Sequence, residues 1–307
     1  MAVAWRLGME LNVSKDTSNE IKVIRSFLFT PGNHPRKVEK VFAASADAVI
    51  LDLEDAVAIA EKVATRTTVV AAMKQPRECL GYIRVNALDT GYCEEDIKAV
   101  VGPWLDGIVI PKVESAATLL AVDELISAAE RAANMPVGSI DLMPIIETAT
   151  GVEYACEIAS AGSRVRRLAF GGGDYTLDLD YIWSADEEVL SYARARISHA
   201  TRVANIDPPI DTVVLQINDD ERFCASAERG KKFGFAGKLC IHPSQVPLSN
   251  TVFTPSADEI AHAEAVVAAF EAAEAAGSAS IQLDGYFIDY PIVYKSQRIL
   301  ALARKLS

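Results

Sequence analysis

The sequence has only four histidines, and no two lie close together, so paired imidazoles of a zinc site are not expected. Its five cysteines (Cys79, Cys93, Cys156, Cys224 and Cys240) are scattered and form no Cys-x-x-Cys pair. An odd, dispersed set of this kind reads as reduced structural thiols of a cytoplasmic protein, not as a disulfide or zinc framework. No apolar run approaches the roughly 20 residues that span a bilayer, so no membrane association is expected. Residues 1–22 carry Glu10, Asp16 and Glu20 and lack a continuous apolar stretch, so they read as an extension and not as a secretory signal. Cations are in the minority, with 30 Lys and Arg against 42 Asp and Glu, a net charge of −12. Such a surface repels polyphosphate backbones, which excludes nucleic acid as the expected partner. A small anionic ligand would need a local basic patch.

Half of the 307 residues are hydrophobic, enough for a large core. One theme repeats along the chain: a short β-branched apolar run, a polar or Gly/Pro break, then a segment of helical periodicity. Strands are expected at 26–30, 48–53, 82–85, 107–111, 142–147, 167–171, 212–215 and 238–242. Helical segments are expected between them at 38–45, 58–73, 94–101, 116–133, 152–161, 187–205 and 220–233. Continuous apolar strands such as AVILDL and GIVIPK suit a parallel sheet covered on both faces. Eight such units predict an α/β protein with a closed (β/α)8 TIM barrel, which takes about 250 residues. An open doubly wound sheet is the alternative, and it is disfavoured because no Gly-x-Gly-x-x-Gly turn follows the first strand. After His242 the pattern changes. An Ala/Glu-rich helix at 256–276 is followed by a joint at 277–280, a polar-aromatic loop at 284–291 and a last helix at 293–305. The expected organisation is an N-terminal extension (1–24), a catalytic barrel (25–250) and a C-terminal lid and oligomerisation arm (251–307).

In a TIM barrel, function sits at the C-terminal ends of the strands. The polar residues there are Thr30–Asn33, Asp52, Glu54, Asp55, Arg84, Asn86, Lys112, Glu114, Glu147, Asp174 and His242. Converging carboxylates repel one another, and a hard cation such as Mg²⁺, which binds oxygen and often takes only one or two protein carboxylates, relieves that repulsion. Glu147 follows a buried run and could instead cap the helix after it. Asp174 follows Gly171, Gly172 and Gly173, which permit close backbone approach and positive φ; an Asp N-cap after a glycine turn is the other reading. Arg84 ends an apolar strand and needs an anionic partner, either a ligand or Asp52 or Asp55. Pro35 opens a helix on which Arg36 and Lys40 share a face, a reasonable place for a phosphate as well as an ordinary solvated face.

These residues belong to an ordered series of motifs: Phe29-Thr30-Pro31-Gly32-Asn33, Leu51-Asp52-Leu53-Glu54-Asp55-Ala56-Val57, Ile83-Arg84-Val85-Asn86, Pro111-Lys112-Val113-Glu114, Ile146-Glu147-Thr148, Phe170-Gly171-x-x-Asp174, Gly237-Lys238-x-Cys240-Ile241-His242-Pro243 and Phe287-Ile288-Asp289. Across most of its length the chain thereby resembles the citrate lyase β-subunit-like branch of the HpcH/HpaI aldolase superfamily, which includes malyl-CoA and citramalyl-CoA lyases. The resemblance implies a Mg²⁺-dependent barrel (Mn²⁺ being the alternative ion) that assembles as a homotrimer or higher homo-oligomer, with CoA as part of its substrate. It implies Glu147 and Asp174 as metal ligands, Arg84 on substrate oxygen, Arg36 and Lys40 toward the CoA phosphates, and Ile241 and His242 along the CoA path. Asp289 would be the acid that the C-terminal lid delivers to a neighbouring subunit's site, with Glu54 and Asp55 holding metal waters or positioning the base. The pattern departs at Phe29, where many relatives carry Tyr, and in the aromatic lid Tyr286-Phe287.

The activity implied is cleavage or formation of a carbon–carbon bond in a small β-hydroxyacyl-CoA of the citryl-, malyl- or citramalyl-CoA type. A malyl-CoA-type thioesterase, a CoA-independent 2-oxo-acid aldolase and a non-catalytic CoA-binding homologue are the alternatives.

Overall fold

The structure is a computed structural model that describes residues 23–306. The expected N-terminal extension therefore lies outside the described residues except for Val23 and Ile24. Eight strands pair in parallel, each with the next: β1 (Ser26–Pro31), β2 (Ala48–Asp52), β3 (Leu80–Arg84), β4 (Gly107–Ile110), β5 (Asp141–Ile146), β6 (Ala169–Phe170), β7 (Ile210–Asp211) and β8 (Gly237–Cys240). β8 closes on β1 through Ser26 opposite Lys238 and Leu28 opposite Cys240. The expected (β/α)8 barrel is the observed fold. Its helices are α1 (Pro35–Val41), α2 (Lys62–Met73), α3 (Cys93–Val100), α4 (Ala116–Ala132), α5 (Ala149–Glu153), α6 (Ala155–Ala159), α7 (Gly172–Asp178), α8 (Ser191–Val203), α9 (Asp220–Lys232) and α10 (Gln245–Val252).

The two-residue period of a strand explains why these runs are apolar throughout. Phe27, Ala48, Ile50, Tyr82, Val109, Met143, Ile145, Ala169, Ile210 and Leu239 pack together as the barrel's filling. Their strand neighbours Leu28, Val49, Leu51, Ile83, Ile108, Ile110, Leu142, Ile146, Phe170 and Cys240 belong to the layer between sheet and helices. Polar side chains enter these two layers at few places, Ser26, Asp141, Asp211 and Lys238 among them, before the strands end.

The seventh strand lies at Ile210–Asp211, before the expected 212–215. The apolar run Thr212–Leu215 suggested the later position, but Asp211 is tolerated in the wall because it is fully buried against Arg194 (Nε–Oδ1 2.9 Å) and Lys238 (Nζ–Oδ2 3.0 Å). The expected helix at 152–161 is two short helices, α5 and α6, meeting at Tyr154. The residues after Gly171 form the helix α7 where a turn was the simpler expectation.

The C-terminal residues build a small unit. Helix α11 (Ala257–Ala275) starts at a capping box in which Ser256 accepts from the Glu259 amide and Glu259 accepts from that of Ser256. The expected polar-aromatic loop at 284–291 is instead part of an antiparallel hairpin, β9 (Ile281–Leu283) and β10 (Tyr286–Ile288). Asp284 (φ 48°) and Gly285 (φ 83°) make its two-residue turn, the Asp-Gly pair that such hairpins favour. Helix α12 (Tyr290–Leu306) packs back on α11. Val266, Phe270, Ile288 and Val293 form a core of their own, separate from the two barrel clusters. The expected boundary at 250/251 falls inside α10, which packs on β1 and β8.

Candidate active site at the C-terminal rim of the barrel

Strand parity brings a set of polar side chains to one place. Asp52 continues the inward row of Ala48 and Ile50, Arg84 that of Tyr82, and Glu147 that of Met143 and Ile145. Phe29 continues the row of Phe27, and its ring lies 4.9 Å from the Arg84 guanidinium carbon. A site at the C-terminal mouth is thus the next layer of the barrel's own packing.

Arg84 is held by carboxylates. Its Nε and Nη2 donate to Asp52 Oδ1 and Oδ2, both at 2.6 Å, and its Nη1 lies 3.1 Å from Glu54 Oε2. Asp52 is fixed in turn by the amides of Glu54 (2.9 Å) and Ala56 (3.0 Å). The planar fork allows one rotamer, so the guanidinium is pre-positioned. Burial alone would lower the Arg84 pKa, but Asp52 and Glu54 raise it above its ordinary value, and the group stays charged. Of the structural partners the sequence offered, Asp52 is the one used; Glu54 takes the place expected of Asp55.

Glu54 is buried and also accepts from Lys112 Nζ at 2.5 Å, while Asp55, exposed at the rim, accepts from the same ammonium at 3.0 Å. Burial raises the Glu54 pKa despite both cations. For Asp55 burial is again the largest single influence and acts in the same direction, but the hydrogen bonds to Lys112 and Glu54 and the charges of Lys112 and Arg84 together outweigh it and hold the carboxyl below its ordinary value. Behind this loop, the buried Lys62 donates to the carbonyls of Leu53 (3.1 Å) and Glu54 (2.7 Å) and to Asn86 Oδ1 (2.6 Å). Asn86 is tied to Asp96 by its amide and side chain, and Asp96 pairs with Arg66.

Glu147 is 3% exposed, and its Oε1 accepts from the Lys112 amide at 2.8 Å. It does not cap the following helix; Thr148 does, accepting from the Gly151 amide at 3.0 Å. Burial, and next the negative charge of Asp174, push the Glu147 carboxyl up to about 8. Gly171 makes room for it: a Cβ there would stand 2.3 Å from Glu147 Oε2. Gly171 has φ −104°, and neither Gly172 nor Gly173 adopts positive φ, so these glycines serve close approach, not the left-handed backbone allowed for them. Asp174 stands in the first turn of α7 and is not the N-cap, which is Gly171. Helix α7 is pinned at both ends: the Gly172 amide donates to Thr212 Oγ1 (2.7 Å), and Asp178 accepts from the Ala149 amide (2.7 Å).

The remaining sequence candidates are more dispersed. Arg36 and Lys40 are exposed on α1, whose first turn has Pro35 and no side-chain cap. Ile241 and His242 follow β8; Ile241 is exposed, and His242 Nδ1 lies 2.8 Å from Ser244 Oγ. Asp289 lies between the hairpin and α12, and its carbonyl accepts from the amides of Ile292 and Val293. Among the described residues no hydrogen bond or ion pair joins Asp289 to Glu147, Asp174 or Arg84. The residues that a sequence reading undervalues are Lys112, Lys62 and Gly171. Lys112 was visible as a strand-end polar residue, but its φ of 53° was not.

Among the described residues no group of three or more His, Cys, Asp or Glu side chains is arranged to hold a metal ion. The oxygen pair of Glu147 and Asp174 suits a hard ion that keeps most of its waters. The raised Glu147 pKa is what a buried carboxyl beside a second, half-buried one shows without a cation between them, and Gly171 leaves the space beside Oε2 clear. The residues present therefore fit a divalent ion. No helix among the described residues is long and apolar enough to cross a membrane.

The family model described as HpcH/HpaI aldolase/citrate lyase matches residues 25–243. The chain is 38% identical to the citrate lyase subunit beta of Leuconostoc mesenteroides subsp. cremoris, over 93% of this chain and 95% of that protein. It is 34% identical to the L-malyl-CoA/beta-methylmalyl-CoA lyase of Cereibacter sphaeroides, over 92% and 95%. Among solved structures it is similar to protein CitE from Mycobacterium tuberculosis in complex with magnesium, acetoacetate and coenzyme A, at 29% identity and TM-score 0.77, over 92% of this chain and 98% of that one.

Proposed function

The chain belongs to the HpcH/HpaI aldolase/citrate lyase family, and from that premise we propose that it is a Mg²⁺-dependent lyase. In this reading it cleaves or forms a carbon–carbon bond in a small β-hydroxyacyl-CoA of the citryl-, malyl- or citramalyl-CoA type. The observation that carries the proposal is Glu147, a buried carboxyl raised to about 8 by burial and Asp174, facing a mouth in which Arg84 is held ready by Asp52.

Glu147 and Asp174 would hold the ion. When bound, it supplies Lewis-acid polarisation and a template for the carboxylate and hydroxyl or keto oxygens of the 2-oxo-acid part. The chain's own residues do the rest. Arg84, fixed and charged, stabilises negative charge on the substrate oxygen as the bond breaks. Its rigid fork on Asp52 means that little reorganisation accompanies this charge development. Glu54 and Asp55, bound to Arg84 and Lys112, order the waters of the mouth or position the base. Asp289 exchanges a proton with the methyl carbon of the acetyl-CoA product. It lies on a C-terminal unit with its own core, which suits delivery of Asp289 to the site of a neighbouring copy in a homotrimer or higher oligomer. Arg36 and Lys40 meet the CoA phosphates, and Ile241 and His242 line the path of the pantetheine.

The reading is tested by offering the purified protein malyl-, citramalyl- and citryl-CoA with Mg²⁺ or EDTA, and comparing it with Glu147→Ala. Turnover that needs the ion and is lost in the variant is expected. A Glu147→Ala protein with full Mg²⁺-dependent turnover would sink the assignment.

A further inference from the structure

The geometry points to Lys112 as a positioning residue that sets the two carboxylate groups of the mouth in one frame. The inference rests on the proposed lyase reading and adds to it a residue with no role so far. Lys112 lies between β4 and α4 with φ 53°, a left-handed conformation that a long side chain rarely takes. Among the described residues the other non-glycine residues with positive φ are Ser45, Asn134, Asp180, Glu187, Asn205 and Asp284. Several of these lie just after a helix or in the hairpin turn, where a reversal of the chain requires such a backbone. Lys112 follows a strand, where extended backbone would serve as well.

The unusual backbone lets both ends of this one residue meet the site. Its amide donates to Glu147 Oε1 at 2.8 Å. Its ammonium reaches Glu54 Oε1 at 2.5 Å and Asp55 Oδ2 at 3.0 Å. Glu54 is 95% buried by side-chain area and has two cationic partners, Arg84 on one oxygen and Lys112 on the other. Arg84 and the Asp55 amide hold one oxygen of Glu54, and the ammonium of Lys112 ties its other oxygen to the Asp55 carboxylate. A solvated ion pair would do none of this, because the partner would be mobile and water would screen it. Here one partner is buried and the backbone of the other is fixed by Glu147.

Loss of the ammonium acts in opposite directions on metal binding and turnover. Loss of the ammonium frees Glu54 and Asp55 to move and leaves the mouth more negative. A misplaced group costs about 10- to 100-fold in turnover, while a more negative mouth holds a divalent cation at least as firmly.

The test uses the full chain as Lys112→Met and Lys112→Arg. The readouts are kcat and KM on the acyl-CoA that the wild type turns over, and the dissociation constant for Mn²⁺ alone from electron spin resonance. For Lys112→Met the expected result is a kcat lower by about 10- to 100-fold, an acyl-CoA KM within about threefold, and a Mn²⁺ dissociation constant unchanged or smaller. Lys112→Arg, which restores the cation, recovers most of kcat. An unchanged kcat in Lys112→Met would overturn the inference, leaving an incidental ion pair. So would a Mn²⁺ dissociation constant that rises in step with the fall in kcat, which would mean general collapse of the rim. The Mn²⁺ arm needs no turnover. Wild-type silence on every acyl-CoA would therefore count against the proposed reaction, while Mn²⁺ binding that weakens in Lys112→Met would still count against the positioning role.

Discussion

Replacing Glu147 with glutamine removes a charge that the folded protein accommodates poorly without a cation, and the effect on stability has a calculable sign. The carboxyl is raised from an ordinary 4.5 to about 8. Between these values the folded chain keeps a proton that the unfolded chain releases. Stability from this group is therefore intact below 4.5, falls as pH rises, and is fully lost above about 8. At about 1.4 kcal/mol per unit, the loss is at most about 5 kcal/mol. Glu147→Gln keeps an acceptor for the Lys112 amide and carries no charge. Each 1 kcal/mol moves the melting temperature of a chain this large by about 2 °C, so half the maximum corresponds to about 5 °C. The assay is differential scanning calorimetry of both proteins in EDTA from pH 5 to pH 9. The difference between the two cancels the other titrating groups. Near pH 5 the melting temperatures should nearly coincide; near pH 8.5 the variant should melt higher. Saturating Mg²⁺ should then raise the wild type, by about 2.7 kcal/mol at a hundredfold excess over Kd, and leave the variant where it was. Parallel curves in EDTA would mean that the Glu147 carboxyl is not raised, and an equal response of both proteins to Mg²⁺ would mean that it does not hold the ion.

Gly171→Ala places a methyl 2.3 Å from Glu147 Oε2; Mn²⁺ affinity and kcat should both fall by about tenfold or more while the circular dichroism spectrum holds. Arg84→Lys loses the fork on Asp52, so kcat should drop about 100- to 1,000-fold, with a lower melting temperature because the buried Asp52 is left poorly paired. Arg36→Ala and Lys40→Ala should each raise the KM for an acyl-CoA by about tenfold with kcat near wild type; turnover that ignores both would favour an aldolase acting on free 2-oxo acids.

The barrel was legible because its strands are buried on both faces and its helices interrupt them at regular intervals. The mouth was legible for a related reason: Asp52, Arg84 and Glu147 are charges at the ends of apolar runs, where the packing of a barrel leaves them facing one another. Strand β7 lies two residues before the apolar run Thr212–Leu215 on which it was expected, because tertiary partners, Arg194 and Lys238, make Asp211 a wall residue. The hairpin carried a readable signal, Asp284-Gly285, that the surrounding aromatics obscured. Lys112 and Gly171 were not readable in their full roles. A positive φ after a strand and a clearance of one methyl group are properties of the assembled rim, and no local pattern encodes them.

Whether this mouth breaks a carbon–carbon bond is read from the stoichiometry of its products. Mass spectrometry of a Mg²⁺-containing reaction with malyl-, citramalyl- or citryl-CoA should show acetyl-CoA and glyoxylate, pyruvate or oxaloacetate rising together in equal amounts, and neither in EDTA. Free CoA appearing with the intact hydroxy acid, and no acetyl-CoA, would contradict the claim and assign the site to thioester hydrolysis.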